Sequence, residues 1–162
     1  MKGWRHRIVF TAAVILVSLP GCAHLVVLND PLTASEHNDL GVAYESRHQL
    51  ELAEREYRKA LRLDPGLTRA RVNLGNVAGA RGHWSVAERC FRTALRRDPN
   101  DRDAMNNLAV ALVRQRKRLD EAEAWAARAA QPGIGPDSLY RATLDEVRRA
   151  KAERDSGPGR PH

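Results

Sequence analysis

The feature that most limits what this chain can become is a period of 34 residues. Leu40, Leu74 and Leu108 stand 34 apart, and Gly41, Gly75 and Ala109 follow the same step. Ala53 and Ala87, Tyr57 and Phe91, Ala60 and Ala94, and the pairs Asp64-Pro65 and Asp98-Pro99 keep it too. A fixed period of this length marks an array of stacked supersecondary units rather than one core built from unlike parts. Composition agrees: beyond residue 21 there are 22 Ala and 16 Leu, while Ile stands only at position 134. That bias favours helix over sheet, so the chain is predicted to be all-α.

The first copy reads His37-x-x-Leu40-Gly41-x-x-Tyr44, then Ala53-x-x-x-Tyr57-x-x-Ala60, then Pro65. The second keeps Leu74-Gly75, Ala87-x-x-x-Phe91-x-x-Ala94 and Pro99. The third keeps Leu108-Ala109-x-x-Leu112, but Ala122, Ala126 and Ala129 fit only if one residue is inserted in the turn at 114–118. This pattern resembles the tetratricopeptide repeat. The resemblance implies an α-solenoid of three helix–turn–helix repeats over 34–67, 68–101 and 102–131. Thr33-Ala-Ser-Glu36 has the spacing of a capping box and is expected to start the first helix.

The spacing has a physical reading. Ala53 and Ala87 are expected beneath Leu40-Gly41 and its second copy, where small side chains let helix backbones approach. Tyr57 and Phe91 then fill the space between neighbours. Pro65 and Pro99 stop the second helices. One pair cannot bury its apolar face alone; stacked pairs can. Residues 136–155 read as a C-terminal capping helix, with Asp137 available as a cap and Leu139, Tyr140, Leu144 and Val147 on one side. Residues 156–162, Ser-Gly-Pro-Gly-Arg-Pro-His, are expected to be disordered.

The first 21 residues differ from the rest. They hold three of the 27 Lys+Arg and none of the 20 Asp+Glu, so a net charge of +7 becomes +4 (24 against 20) without them. Lys2, Arg5 and Arg7 precede an apolar run from Ile8 to Leu19, as in a secretory signal peptide. The closing Leu19-Pro20-Gly21-Cys22 resembles the bacterial lipoprotein lipobox, with Pro20 a departure from its usual middle residue. The resemblance implies cleavage before Cys22, a diacylglycerol on its thiol, an acylated new N-terminus, and a tether over 22–33. Several acyl chains at one residue hold a protein persistently, because each buried methylene adds about 0.8 kcal/mol. An uncleaved anchor or a plain secretory signal is the alternative reading. Ala23 follows the cysteine, and by the same resemblance the periplasmic face of the outer membrane is preferred over the inner membrane.

No catalytic or metal constellation is legible. The histidines are scattered, and no glycine-rich phosphate loop exists. Glu51, Glu54, Glu56, Asp120, Glu121 and Glu123 lie among arginines and read as a solvated, mutually paired surface. Cys90 reads as a small helical residue, and Trp84 and Trp125 as packing between repeats. No cofactor or metal is expected, and the chain is expected not to be an enzyme. Nucleic acid is a poor partner for an exported chain whose basic residues alternate with acids.

Arrays that this chain resembles bind peptides in a groove lined by first helices. The matching positions are Asn38, Asp39 and Val42, then Arg69, Asn73 and Asn76, then Asp103, Asn106, Asn107 and Val110. Asparagine is mildly unfavourable in helices, yet five stand here. A carboxamide both donates and accepts, which suits a peptide backbone; the alternative is that these side chains satisfy neighbouring helices. The carboxylate-binding version of the groove is not expected, since Asn38, Val42, Asp103 and Asn107 replace its residues and only Asn73 matches. Arg114-Gln115-Arg116-Lys117-Arg118 is the one dense basic cluster, either a solvated turn or a contact for anionic lipid, acidic cell-wall groups or an acidic partner. The expected function is a membrane-anchored adaptor that docks a peptide or protein for an envelope assembly: pilus or secretion, polysaccharide export, or cell-wall machinery. The alternative is a non-catalytic arm of a separately encoded envelope enzyme such as a peptidase.

Overall fold

The computed structural model describes residues 13–19, 22–28, 30–132 and 137–156, and the chain divides into two units at Leu32/Thr33. In the first unit, strands β1 (Ala13–Leu19) and β2 (Cys22–Leu28) pair antiparallel, with Leu19 opposite Cys22 and Ala13 opposite Leu28. Both strands are rich in Val and Leu, residues that suit a pleated backbone. Much of the stretch read as a tether is therefore strand. Residues 1–12 and 157–162, including all but the first residue of the expected disordered tail, lie outside the described residues.

The second unit is an all-α solenoid. Its helices are α1 (Ala34–Glu45), α2 (Leu50–Leu63), α3 (Thr68–Ala80), α4 (Trp84–Arg97), α5 (Arg102–Arg114), α6 (Leu119–Ala129) and α7 (Asp137–Ser156). Each packs on the next, and the first helices α1, α3, α5 and α7 also touch in succession. Thr33 and Glu36 form the capping box: the Glu36 amide donates to Thr33 Oγ1 at 3.3 Å, and the Thr33 amide to Glu36 Oε2 at 2.7 Å. Asp64 and Asp98 are extended before their prolines, ending α2 and α4. Their carboxylates then accept from the amides of Gly66 (2.7 Å) and Asn100 (3.0 Å), so the stop repeats at the same period as the helices.

The turns inside each pair repeat as well. His48, Gly82 and Arg116 are 34 apart and all left-handed, with φ of 57°, 77° and 50°. The third turn carries one residue more, and Arg118 absorbs it with a second left-handed φ of 50°. This is the insertion that the slipped alanines require. With it, Ala122, Ala126 and Ala129 are all fully buried.

Two expectations about packing are corrected. What packs most closely on Gly41 is the ring of Tyr57, where Ala53 was expected; a methyl on Gly41 would lie 2.5 Å from Tyr57 Cε1. A methyl on Gly75 would lie 2.5 Å from Phe91 Cε1. The glycines make room for an aromatic ring rather than for a facing backbone. In the third copy the glycine position is Ala109 and the ring position is Ala126, so one methyl is added where a whole ring is lost.

The second correction concerns α7. Tyr140, Thr143 and Val147 are its buried residues, whereas Leu139 is 53% exposed. Positions 140, 143, 144 and 147 follow helical spacing; 139 stands one residue, about 100° of rotation, away from 140. Asp137 is the first helical residue, and its carboxylate is held by Arg102 of α5 at 2.8 Å. The polar side of α7 is pinned to α6: Arg148 to Glu123 (3.2 Å), and Lys151 to both Asp120 (2.7 Å) and Glu123 (2.9 Å).

Candidate partner groove

The ten groove positions fall on the three first helices: Asn38, Asp39 and Val42 on α1, Arg69, Asn73 and Asn76 on α3, and Asp103, Asn106, Asn107 and Val110 on α5. The contacts among these helices bring several of them together. Asn73 Nδ2 donates to Asn38 Oδ1 at 3.0 Å, and Asn107 Nδ2 donates to Asn76 Oδ1 at 2.9 Å. Each bond crosses from one repeat to the one before it. Asn38 and Asn106, both 4% exposed, turn their amides onto Asp39 (3.1 Å) and Asn107 (3.2 Å). Asn106 Oδ1 is buried with no partner among the described residues.

The chains of carboxamides thus serve both readings of the asparagines. They tie adjacent repeats together, and they still leave bonding capacity open. Among the described residues the structure shows no donor on Asn73 Oδ1 and no acceptor for Asn76 Nδ2. These two side chains lie three apart on α3, on neighbouring positions of one helix face. Beside them is a cleft of about 190 Å³, lined by Asn76, Asn107, Val110, Gly75, Gly79, Ala80, Trp84 and Phe91. Gly79 is needed there, since a methyl on it would meet the Trp84 ring at 2.9 Å. Val42 is 47% exposed on α1.

The ends of the row are less open. Arg69 donates to Ser35 Oγ on α1. Asp103 accepts from the Tyr140 hydroxyl of α7 at 2.9 Å, and the Arg102 guanidinium lies 4.5 Å from the centre of that ring. The capping helix therefore occupies one groove carboxylate. Burial, with the Asp103 carboxylate beside it, pushes the Tyr140 hydroxyl above its ordinary value.

Three polar anchors were not foreseen. Glu56, expected on the solvated surface, is 4% exposed; it meets His37 Nδ1 at 2.7 Å and Lys59 at 3.1 Å, joining α1 to α2. Tyr57 donates to Glu45 at 2.7 Å, and burial together with that bond raises its hydroxyl well above the ordinary range. Glu88 of α4, nine-tenths buried, accepts from Arg92 (2.9 Å), from Gln115 (2.9 Å) and from Arg118, which ties α4 to the α5–α6 turn. Burial raises the Glu88 carboxyl, but the three donors outweigh it and hold the group below its ordinary value. The spacing of arginines and glutamates signals such pairing in general; which pair is buried depends on contacts across repeats. Cys90 is buried and in no disulfide among the described residues, and burial pushes its thiol up. Trp84 and Trp125 pack against the core, as expected.

Tetratricopeptide repeat models match residues 34–67 and 72–138, together more than half of the sequence. The chain belongs to the tetratricopeptide repeat family. No curated protein matches it. Among solved structures, it resembles the first such domain of Spaghetti (RPAP3) bound to an HSP90 peptide, SRMEEVD: 19% identity, 76% of this chain and 96% of that one, TM-score 0.69. The Yersinia enterocolitica type III secretion chaperone SycD, in complex with a peptide of the translocator YopD, is similar at 18% identity, 72% and 93% coverage, and TM-score 0.64. Pseudomonas aeruginosa pilF is similar at 27% identity and TM-score 0.67, over 75% of this chain but only 55% of that one.

Proposed function

We propose that this tetratricopeptide repeat chain is a non-catalytic adaptor that holds an extended peptide segment of a partner against α1, α3 and α5. The observation that carries this reading is the open acceptor on Asn73 and the open donor on Asn76, next to the apolar cleft under Asn107 and Val110. A peptide unit in an extended strand needs one acceptor and one donor, and a cleft of this size takes one apolar side chain. Two solved structures of similar fold carry bound peptides, which supports a peptide as the partner. With Asn38, Val42, Asp103 and Asn107 in place of basic and clamp residues, the groove recognises an internal segment rather than a free C-terminal carboxylate.

The basic start, apolar run and Cys22 of the leader support a bacterial envelope location for this adaptor. Lipidation of Cys22 would anchor it, with the repeats on the periplasmic side of the outer membrane, as an accessory part of an envelope assembly. No metal, cofactor or nucleic acid enters this role.

Photocrosslinking in cells tests it. A photoreactive residue at Val42 or Val110 is expected to trap one partner, and the same residue at the exposed Leu63 of α2 is expected to trap none. Equal trapping from all three positions, or none from the groove, would sink the proposal. If the trapped protein is a peptidase or other enzyme, the arm-of-an-enzyme reading replaces the assembly reading.

A further inference from the structure

The basic turn that the groove does not use borders a second and larger cleft. It lies between the α5–α6 turn and the latter half of α7, with a volume of about 740 Å³. That falls within the range of ligand-sized sites. Leu119 and Ala150 lie on its apolar side, and Arg114, Arg116, Arg149 and Arg154 stand against Glu146 and Glu153.

The arginines are not equivalent. Arg154 bonds Asp120 (3.2 Å) and Asp155 (2.9 Å), and Arg114 reaches Glu146 at 3.8 Å. Arg116 and Arg149 have no carboxylate partner among the described residues. Exposed guanidinium groups are ordinarily solvated without consequence, but these two are presented by fixed backbone. After its first left-handed residue the turn runs one residue longer than its two counterparts, through Arg118, whose side chain returns to the nearly buried Glu88, as does that of Gln115. Two left-handed residues and this anchor set where Arg116 emerges, while Arg149 stands on a helix pinned by Lys151 and Arg148.

We propose that this cleft docks an acidic peptide segment in which carboxylates alternate with an apolar side chain. Arg116 and Arg149 would each take a carboxylate, a geometry that a planar guanidinium matches with two parallel hydrogen bonds. The apolar side chain would cover the part-exposed Val113 and Ala150. Glu146 and Glu153 oppose any anion placed against them, so the segment's carboxylates fall on Arg116 and Arg149, while its backbone amides can donate to the two glutamates, which a bare inorganic anion cannot do. The site lies at the C-terminal end of α5, against α7, and shares none of the ten groove residues, so it stands or falls independently of them.

The test uses the chain without its leader and a fluorescent, N-acetylated hexapeptide, Glu-Leu-Glu-Glu-Leu-Glu, followed by anisotropy. Saturable binding that weakens steeply with salt is expected, reduced about tenfold by Arg116→Glu and again by Arg149→Glu. Arg116→Gln and Arg149→Gln, which keep long polar side chains, should show smaller losses in the same order. The groove variant Asn73→Ala/Asn107→Ala should bind the hexapeptide like the wild type. Unchanged affinity in both charge-reversal variants, displacement by millimolar inorganic phosphate, or a preference for phosphatidylglycerol vesicles over the peptide would overturn the proposal.

Discussion

A methyl group on Gly75 would stand 2.5 Å from Cε1 of Phe91, and the second repeat closes on that ring. Phe91 is 3% exposed, so it has little room to yield. Alanine would gain about 1 kcal/mol over glycine in helix propensity, against an overpacking cost of about 3 kcal/mol. Gly75→Ala is therefore expected to lose about 2 kcal/mol, measured by urea denaturation.

The third repeat supplies the compensation, because Ala109 and Ala126 occupy the corresponding positions. Phe91→Ala alone should cost about 3–5 kcal/mol through the cavity it leaves. Adding Gly75→Ala to it should recover about 1 kcal/mol, the helix-propensity gain with the clash removed, giving a coupling of about 3 kcal/mol between the sites. A strictly additive double variant would show that the glycine is not there for the ring.

The junction of α6 and α7 should weaken in acid. Hydrogen bonds from Lys151 and Arg154 lower the Asp120 carboxyl from 3.8 to about 2, and those from Lys151 and Arg148 lower Glu123. A carboxyl lowered in the folded state contributes stability that is complete above its unfolded value and is lost as pH falls through its folded value. Melting temperature is thus expected to fall between about pH 4 and pH 2, and less in Asp120→Asn than in wild type. An identical pH profile for the variant would remove Asp120 from the account.

The hydroxyl of Tyr140 holds α7 to Asp103 in the row of first helices. Tyr140→Phe should cost about 1.5 kcal/mol, the scale of a hydrogen bond to a charged acceptor, and Tyr140→Ala at least about 3 kcal/mol. A chain ended at residue 132 should aggregate, because the faces of α5 and α6 against which α7 packs would lose their cover. Hydrogen exchange of α5 and α6 in Tyr140→Ala would report that loss directly.

The proposed lipidation of Cys22 makes its own prediction. Cys22→Ser is expected to leave the leader uncleaved and the chain absent from the outer-membrane fraction. Unchanged processing and attachment would leave an uncleaved anchor as the explanation.

Much of the solenoid was legible because its determinants repeat. Leucine, glycine and proline at 34-residue spacing record the helix contacts of each pair, and the slipped alanines announced the extra residue that Arg118 accommodates. What escaped are relations between residues that differ from copy to copy. Glu56 and Glu88 sit on helices among arginines like any surface glutamate; only the fold puts His37 beside one and Gln115 and Arg118 around the other. The glycine–ring contact was hidden because alanine and aromatic positions both recur, and periodicity alone does not say which faces the glycine. In the groove, position could be read from the repeat, but the bonds Asn73–Asn38 and Asn107–Asn76 join residues 35 and 31 apart, off the repeat register.

Peptide binding by the first helices is most directly measured with a peptide selected from a random library on the full mature chain and then titrated calorimetrically. Wild type should bind it at one site, Asn73→Ala/Asn107→Ala and Val110→Glu should each weaken it at least about tenfold, and Arg116→Glu should leave it unchanged. The Val110 variant matters because it blocks the cleft without touching the asparagine bonds. Equal affinity in the wild type and in both groove variants, with their melting temperatures preserved, would contradict a binding site on α1, α3 and α5.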